Sequence, residues 1–171
     1  MRYLLFAFAS LLIIQTNGQT FVNYKDTINH FSINLPSDWK YGVNKSYPTI
    51  KLLAYRIPAN KSDTSKHNLN VNIFEAIDNN LDKTFADFSK NLSAGNLKMI
   101  DKGDKVINGS KFKWLIETHQ NGNNGIQMHN FDFVALKNGK VYILTMVTFS
   151  NSFATMKPLF DTIANSFILL N

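Results

Sequence analysis

The chain has 171 residues, 44% of them hydrophobic and 18% charged, with no cysteine and a formal net charge of +6. That composition excludes a disordered chain, a disulfide scaffold, a thiolate zinc site and a cysteine nucleophile. The positive balance reads as solubility and not as a nucleic-acid footprint. Beyond Arg2 the sole arginine is Arg56, and arginine is the side chain suited to bidentate phosphate and guanine contacts.

Arg2 is followed by an unbroken apolar run from Tyr3 to Ile14 and then by the polar stretch QTNGQT. One positive charge, an apolar core and small residues at Thr16 and Gly18 make a three-part secretory signal, with cleavage expected after Gly18. The run is too short for a permanent membrane helix, which needs about 20 apolar residues. No cysteine follows it to carry a lipid. The expected division is a signal peptide at 1–18 and a single domain at 19–171, secreted or periplasmic and without a stable membrane anchor.

Within the domain, Phe31, Ile33 and Leu35 alternate with polar residues as in a half-buried strand. Pro36 ends it, and SDW reads as a turn that returns Trp39 to the core. Ile50–Ile57 is a second strand, closed by Pro58, and Leu69, Val71 and Ile73 alternate with asparagines in a third. The period then changes. Leu81, Phe85, Phe88 and Leu92 share one face of a helix, capped by Asn79 or Asn80 and stopped near Gly95. The lysine-rich stretch Lys98–Lys113, interrupted by Asp101 and Asp104, reads as a solvated loop face.

From Lys111 three strands follow. A two-residue turn at Gly122-Asn123 would set Trp114 opposite Phe131, Phe112 opposite Phe133 and Lys113 opposite Asp132. The turn Asn138-Gly139 would pair Phe133 with Leu144, Phe131 with Met146 and Val134 with Ile143. These last strands are apolar on both faces, so both must be covered. The cover available is the first helix and a second amphipathic stretch, Phe153, Met156, Phe160, Ile163 and Phe167, expected to start near Pro158 or to kink there. The fold class expected is α+β, a three-layer α/β/α sandwich around a mainly antiparallel central sheet.

The segments FSINLPSDW, KVING, KFKWLIET, NGKVYILT and the ending FATMKPLFDTIANSF resemble those of the PsbP-like domain family, over roughly Thr20 to Leu169. The resemblance implies an α/β/α sandwich and an accessory or partner-binding role, not an enzymatic one. The family's eponym serves the oxygen-evolving photosystem behind a transit peptide. The plain secretory signal here argues against a photosystem role.

Catalytic motifs are not evident. His30, His67, His119 and His129 form no HExxH pattern, and His119 and His129 fall on opposite faces of adjacent strands in the preferred register, so no metal or other cofactor is expected. No GxSxG or glycine-rich phosphate cradle occurs. The leading expectation is a non-enzymatic envelope domain that docks on a protein partner through an exposed aromatic surface at Tyr41, Tyr47 and Tyr55. One alternative is a small-ligand or lipid carrier, which needs an enclosed apolar pocket between sheet and helix. A hydrolase built on Glu75, Glu117 or His129 requires a cleft that joins two of them.

Overall fold

The computed structural model describes residues 18–43, 46–95, 97–122 and 125–171. The expected signal peptide, apart from Gly18, lies outside the described residues, as does Asn123 of the expected hairpin turn.

Two antiparallel sheets are formed. The smaller joins β1 (Phe21–Asp26), β2 (Phe31–Pro36) and β10 (Ile168–Leu169) in the order β1-β2-β10. Its hairpin turns where Asp26 Oδ1 accepts the backbone amides of Ile28 and Asn29, at 3.0 and 2.8 Å, and His30 takes φ 57°. Ser37 and Asp38 then carry the chain into the larger sheet, and Trp39 returns to the core at 5% exposure.

The larger sheet holds β3 (Trp39–Gly42), β4 (Ile50–Arg56), β5 (Asn68–Glu75), β6 (Lys98–Ile107), β7 (Ser110–Gln120), β8 (Gln127–Lys137) and β9 (Lys140–Phe149). Their order is β3-β4-β5-β9-β8-β7-β6. The α1 helix (Leu81–Ala94) is capped by Asn80, whose side chain accepts the Lys83 amide, and closes at Gly95. The α2 helix (Phe153–Asn165) begins behind a short 3-10 turn. Its start is five residues ahead of Pro158, which therefore sits inside the helix and leaves the Ala154 carbonyl without its usual donor.

The sandwich has the expected layers, with one addition. Helix α1 covers one face of the large sheet, and α2 shares the other face with the three-stranded sheet. On the α2 face, Phe31, Phe112, Phe133, Phe160 and Phe167 interlock with Leu52, Leu69 and Leu144. On the α1 face, Phe85 packs on Leu115, Val134, Val141 and Ile143. Each fully buried side chain of this size contributes about 1.5–3 kcal/mol.

Two expectations are corrected. The lysine-rich stretch is not a loop: Lys98–Ile107 is the edge strand β6, joined to β7 through Asn108-Gly109 with φ 47° and 79°. It showed no alternation because its side chains are exposed on both sides over most of its length. Three lysines and a β-bulge mark it as an edge protected against further pairing.

The second correction is the β7–β8 register. Trp114 lies opposite Phe133, Phe112 opposite Ala135 and Lys113 opposite Val134. The connection is a longer loop, 121–126, in which Asn121 bonds Ile126 and Gly125 takes φ 66°. The expected pairing is displaced by two residues, a shift that leaves every side chain on the same face. Lys113 consequently bonds Asp82 and Asp104, each at 2.7 Å, and not Asp132. The β8–β9 pairs, including Phe133–Leu144 and Phe131–Met146, match expectation. Asn138 and Gly139 take the two positive φ values that their turn requires.

Candidate functional site

Tyr41, Tyr47 and Tyr55 are all exposed, at 49%, 61% and 45%. They do not form one surface. Tyr41 pairs with Ala54 and Tyr55 with Lys40, so the two tyrosines project from opposite faces of the sheet. Tyr41 faces the small sheet and meets Tyr24 edge-on, with ring centroids 5.7 Å apart. Beside this pair, the β1–β2 turn and the chain leading into β4 enclose a shallow concavity of about 500 Å³. Ile28, Val43, Pro48 and Tyr24 supply its apolar lining and Lys25 and Lys51 its cations. Ile28 is 83% exposed and Val43 63%. The turn that carries Ile28 is held by Asp26, which accepts the Ile28 and Asn29 amides, so the exposed side chain stands on a fixed backbone. In the sequence its one signal is an apolar residue between the turn residues Thr27 and Asn29.

The titratable residues are placed differently. Glu117 and His129 occupy opposite faces, since Thr118, not Glu117, pairs with His129. Glu75 lies at the far end of β5. Among the described residues, the three therefore lie apart on the large sheet. His129 stacks on Phe153 at 4.6 Å and its Nδ1 lies 2.8 Å from the Ser150 hydroxyl; burial, then the charge of His119, lowers its pKa. On the same face the Nδ1 of His67 lies 2.8 Å from Thr148 Oγ1, and burial, helped by Arg56, lowers its pKa as well.

Beneath α1 a second polar group was not anticipated. Glu117 and Asp132 are 0% and 1% exposed, on adjacent strands and on the same face. His119 Nδ1 is 3.2 Å from Glu117 Oε2, and Thr145 Oγ1 donates to Asp132 Oδ1 at 2.5 Å. No hydrogen-bond partner among the described residues reaches Glu117 Oε1, Asp132 Oδ2 or the neighbouring Asn130 Oδ1. Burial raises the Glu117 carboxyl against the pull of His119. Burial likewise pushes Asp132 up to about 7, opposed by Thr145 and aided by the charge of Glu117. An acid inside the run FDFVAL was the sequence signal, obscured by its assignment to Lys113.

Between the large sheet and α2 the space is filled by fully buried rings, Phe31, Phe112, Phe133, Phe160 and Phe167 among them; beside α1, Phe74, Phe88, Val141 and Ile143 line a partly open concavity of about 200 Å³.

Comparison with known proteins bears on the fold. The PsbP family model matches residues 19–169. The structure is similar to cyanobacterial PsbP (CyanoP) from Synechocystis, with TM-score 0.67 and 21% identity over 91% of this chain and 95% of that one. It is similar to the Ran-binding protein Mog1p of Saccharomyces cerevisiae, with TM-score 0.63 and 8% identity over 90% and 97%. It is also similar to LpqN, involved in cell envelope biogenesis of Mycobacterium tuberculosis, with TM-score 0.58 and 16% identity over 89% and 90%. Identities this low speak for the fold alone. The sequence matches none of the curated proteins compared with it.

Proposed function

The chain belongs to the PsbP family, and from that premise we propose that it is an exported, non-enzymatic domain that binds a protein partner in the cell envelope. The observation that carries this reading is the concavity at the junction of the two sheets, with Ile28, Val43 and Tyr41 exposed around it. A tyrosine presents large, stiff contact area at low entropic cost, and exposed aliphatic neighbours exclude water around it. A Ran-binding relative with the same fold supports a partner-binding role, and the LpqN likeness supports an envelope setting. Tyr47, next to Pro48 of the lining, belongs to the proposed surface; Tyr55, on the opposite face, does not.

A photo-crosslinking side chain placed at Ile28 or Val43 of the full chain, expressed in its native host, tests the proposal. One discrete adduct from these positions, absent from a control at Lys90, is the expected result. Ile28→Asp combined with Tyr41→Ala should weaken recovery of that adduct by about tenfold, a loss of roughly 1.4 kcal/mol, while thermal stability falls only by the lost Tyr24 contact and Ile28→Asp alone leaves it unchanged. The same bands from all positions, or none from any, would overturn the docking surface. Export is tested separately by sequencing the amino terminus of the protein recovered from the host, which should begin at Gln19.

A further inference from the structure

We propose that Glu117 and Asp132 form a proton-operated catch for helix α1: with a proton held on at least one of the two carboxyls the helix stays seated on the sheet, and on its loss the helix loosens.

The geometry begins in the strand register. Glu117 lies opposite Asn130, and Asp132 opposite Leu115, so the two acids are diagonal neighbours on β7 and β8. Their side chains share the face that carries Leu115, Val134 and Ile143, the seat of α1. The helix runs along β7. At its start, Lys113 bonds Asp82 and lies 5.8 Å from the Phe85 ring. At its end, Gly95 and His119 line the same surface concavity. Glu117 and Asp132 therefore lie under the carboxyl-terminal half of the helix, where its apolar cover is Phe88 and Leu92.

Two ionised carboxylates in that position are poorly answered. The groups around them can be named element by element. On β7, His119 touches Glu117 and carries a charge only when protonated, while Lys113 is engaged by Asp82 and Asp104. On β6, Met99 stands opposite Glu117 and the exposed Lys102 opposite Leu115, with Lys98 exposed at the strand's end and Asp104 already paired. From α1, Lys83 pairs with Asp78 and Asp87, and Lys90 is exposed. On β9 the neighbour is Thr145, and beyond it on β5 is Asn70. Among the described residues, His119 makes the one recorded ion pair with either acid.

Among the described residues, Glu117 Oε1, Asp132 Oδ2 and Asn130 Oδ1 are buried acceptors without a donor. Protonating one carboxyl removes a buried charge and creates the O–H donor that the other oxygens lack. The raised pKa of both acids agrees with that state. Deprotonation leaves two like charges beneath an apolar helix. The cheapest relief is to admit water by lifting α1, which rests on the smaller of the two cores. Lifting it would bare Leu115, Val134, Val141 and Ile143, an apolar strip closed to partners while the catch holds.

The test is hydrogen exchange on the full chain, corrected for the intrinsic pH dependence of exchange, comparing amides of Phe85–Leu92 with those of Phe160–Ala164. Raising the pH from about 5 to about 8.5 should cut protection in α1 by about tenfold relative to α2. Asp132→Asn should hold α1 protection nearly constant across that range. Glu117→Gln, with Asp132 left in place, should do so in part and serves where the first variant folds poorly. Equal loss in both helices, no loss in either, or a pH response that survives Glu117→Gln with Asp132→Asn would overturn the catch.

Discussion

The two faces of the large sheet solve the same burial problem with different materials. On the α2 face, phenylalanines from β2, β7, β8, α2 and the segment before β10 fill the space, and Phe31, Phe112, Phe133, Phe160 and Phe167 are all essentially inaccessible. Its polar groups, His67 with Thr148 and His129 with Ser150, are paired bases and hydroxyls. On the α1 face a short apolar cluster adjoins two buried acids, each with an oxygen that no donor among the described residues reaches. The first face is built to persist, because α2 and the three-stranded sheet both lock it. The second rests on one helix, so it is the face able to open.

The largest effect expected from that contrast is in truncation of matched residues. Phe133→Ala on the α2 face should cost about 3–5 kcal/mol in urea denaturation, because its neighbours come from the sheet and α2 and cannot close the gap. Phe85→Ala on α1 should cost less, about 2–3 kcal/mol, since a surface helix can settle into the space. Equal losses would end the distinction between a locked and a yielding face.

Next in size is the response to pH, which should have opposite sign on the two faces. The folded pKa of Asp132 is raised to about 7, above the usual carboxylate value. Its contribution is therefore fully present below about pH 4 and is lost as the pH rises through about 7, at most about 4 kcal/mol. His67 is lowered, so its contribution is present above about pH 6.5 and is lost as the pH falls through its folded pKa. Thermal melts across pH should show Asp132→Asn gaining on the wild type toward pH 7, while His67→Gln gains on it toward acid. Parallel curves for the wild type and both variants would remove the electrostatic half of the comparison.

A smaller effect concerns close packing at the edge of the sheet. The Trp114 indole lies over Gly103, where an added Cβ would come within 2.8 Å of Trp114 Cζ2. Gly103→Ala should cost about 1–3 kcal/mol by forcing the indole from its place, where it meets Phe131 edge-on. Tryptophan fluorescence and a thermal melt read both consequences.

Much of this was legible in the sequence because it depends on local period. The helix at Leu81–Ala94, its Asn80 cap, the Asn138-Gly139 hairpin and the strands around Phe31, Leu52 and Leu69 each carry their signal within a dozen residues. The strand at Lys98–Ile107 was not legible, because an edge strand with both sides exposed over most of its length has no apolar period to display. The surface proposed for a partner was half legible. Three tyrosines stood out, yet only the pairing of Tyr41 with Ala54 and Lys40 with Tyr55 shows that two of them point apart. The resemblance to the PsbP family, carried by turn and core residues, held for the fold for the same reason: those residues act locally.

The sequence by itself determined which segments are helix or strand and which side chains need cover, because alternation and helical spacing are written along the chain. Only the tertiary structure decided the rest. A two-residue displacement between β7 and β8 preserves every face, so no hydrophobic pattern can detect it, yet it moves Lys113 away from Asp132 to Asp82 and Asp104. Asp132 is thereby left beside Glu117 under α1, for burial to hold its proton.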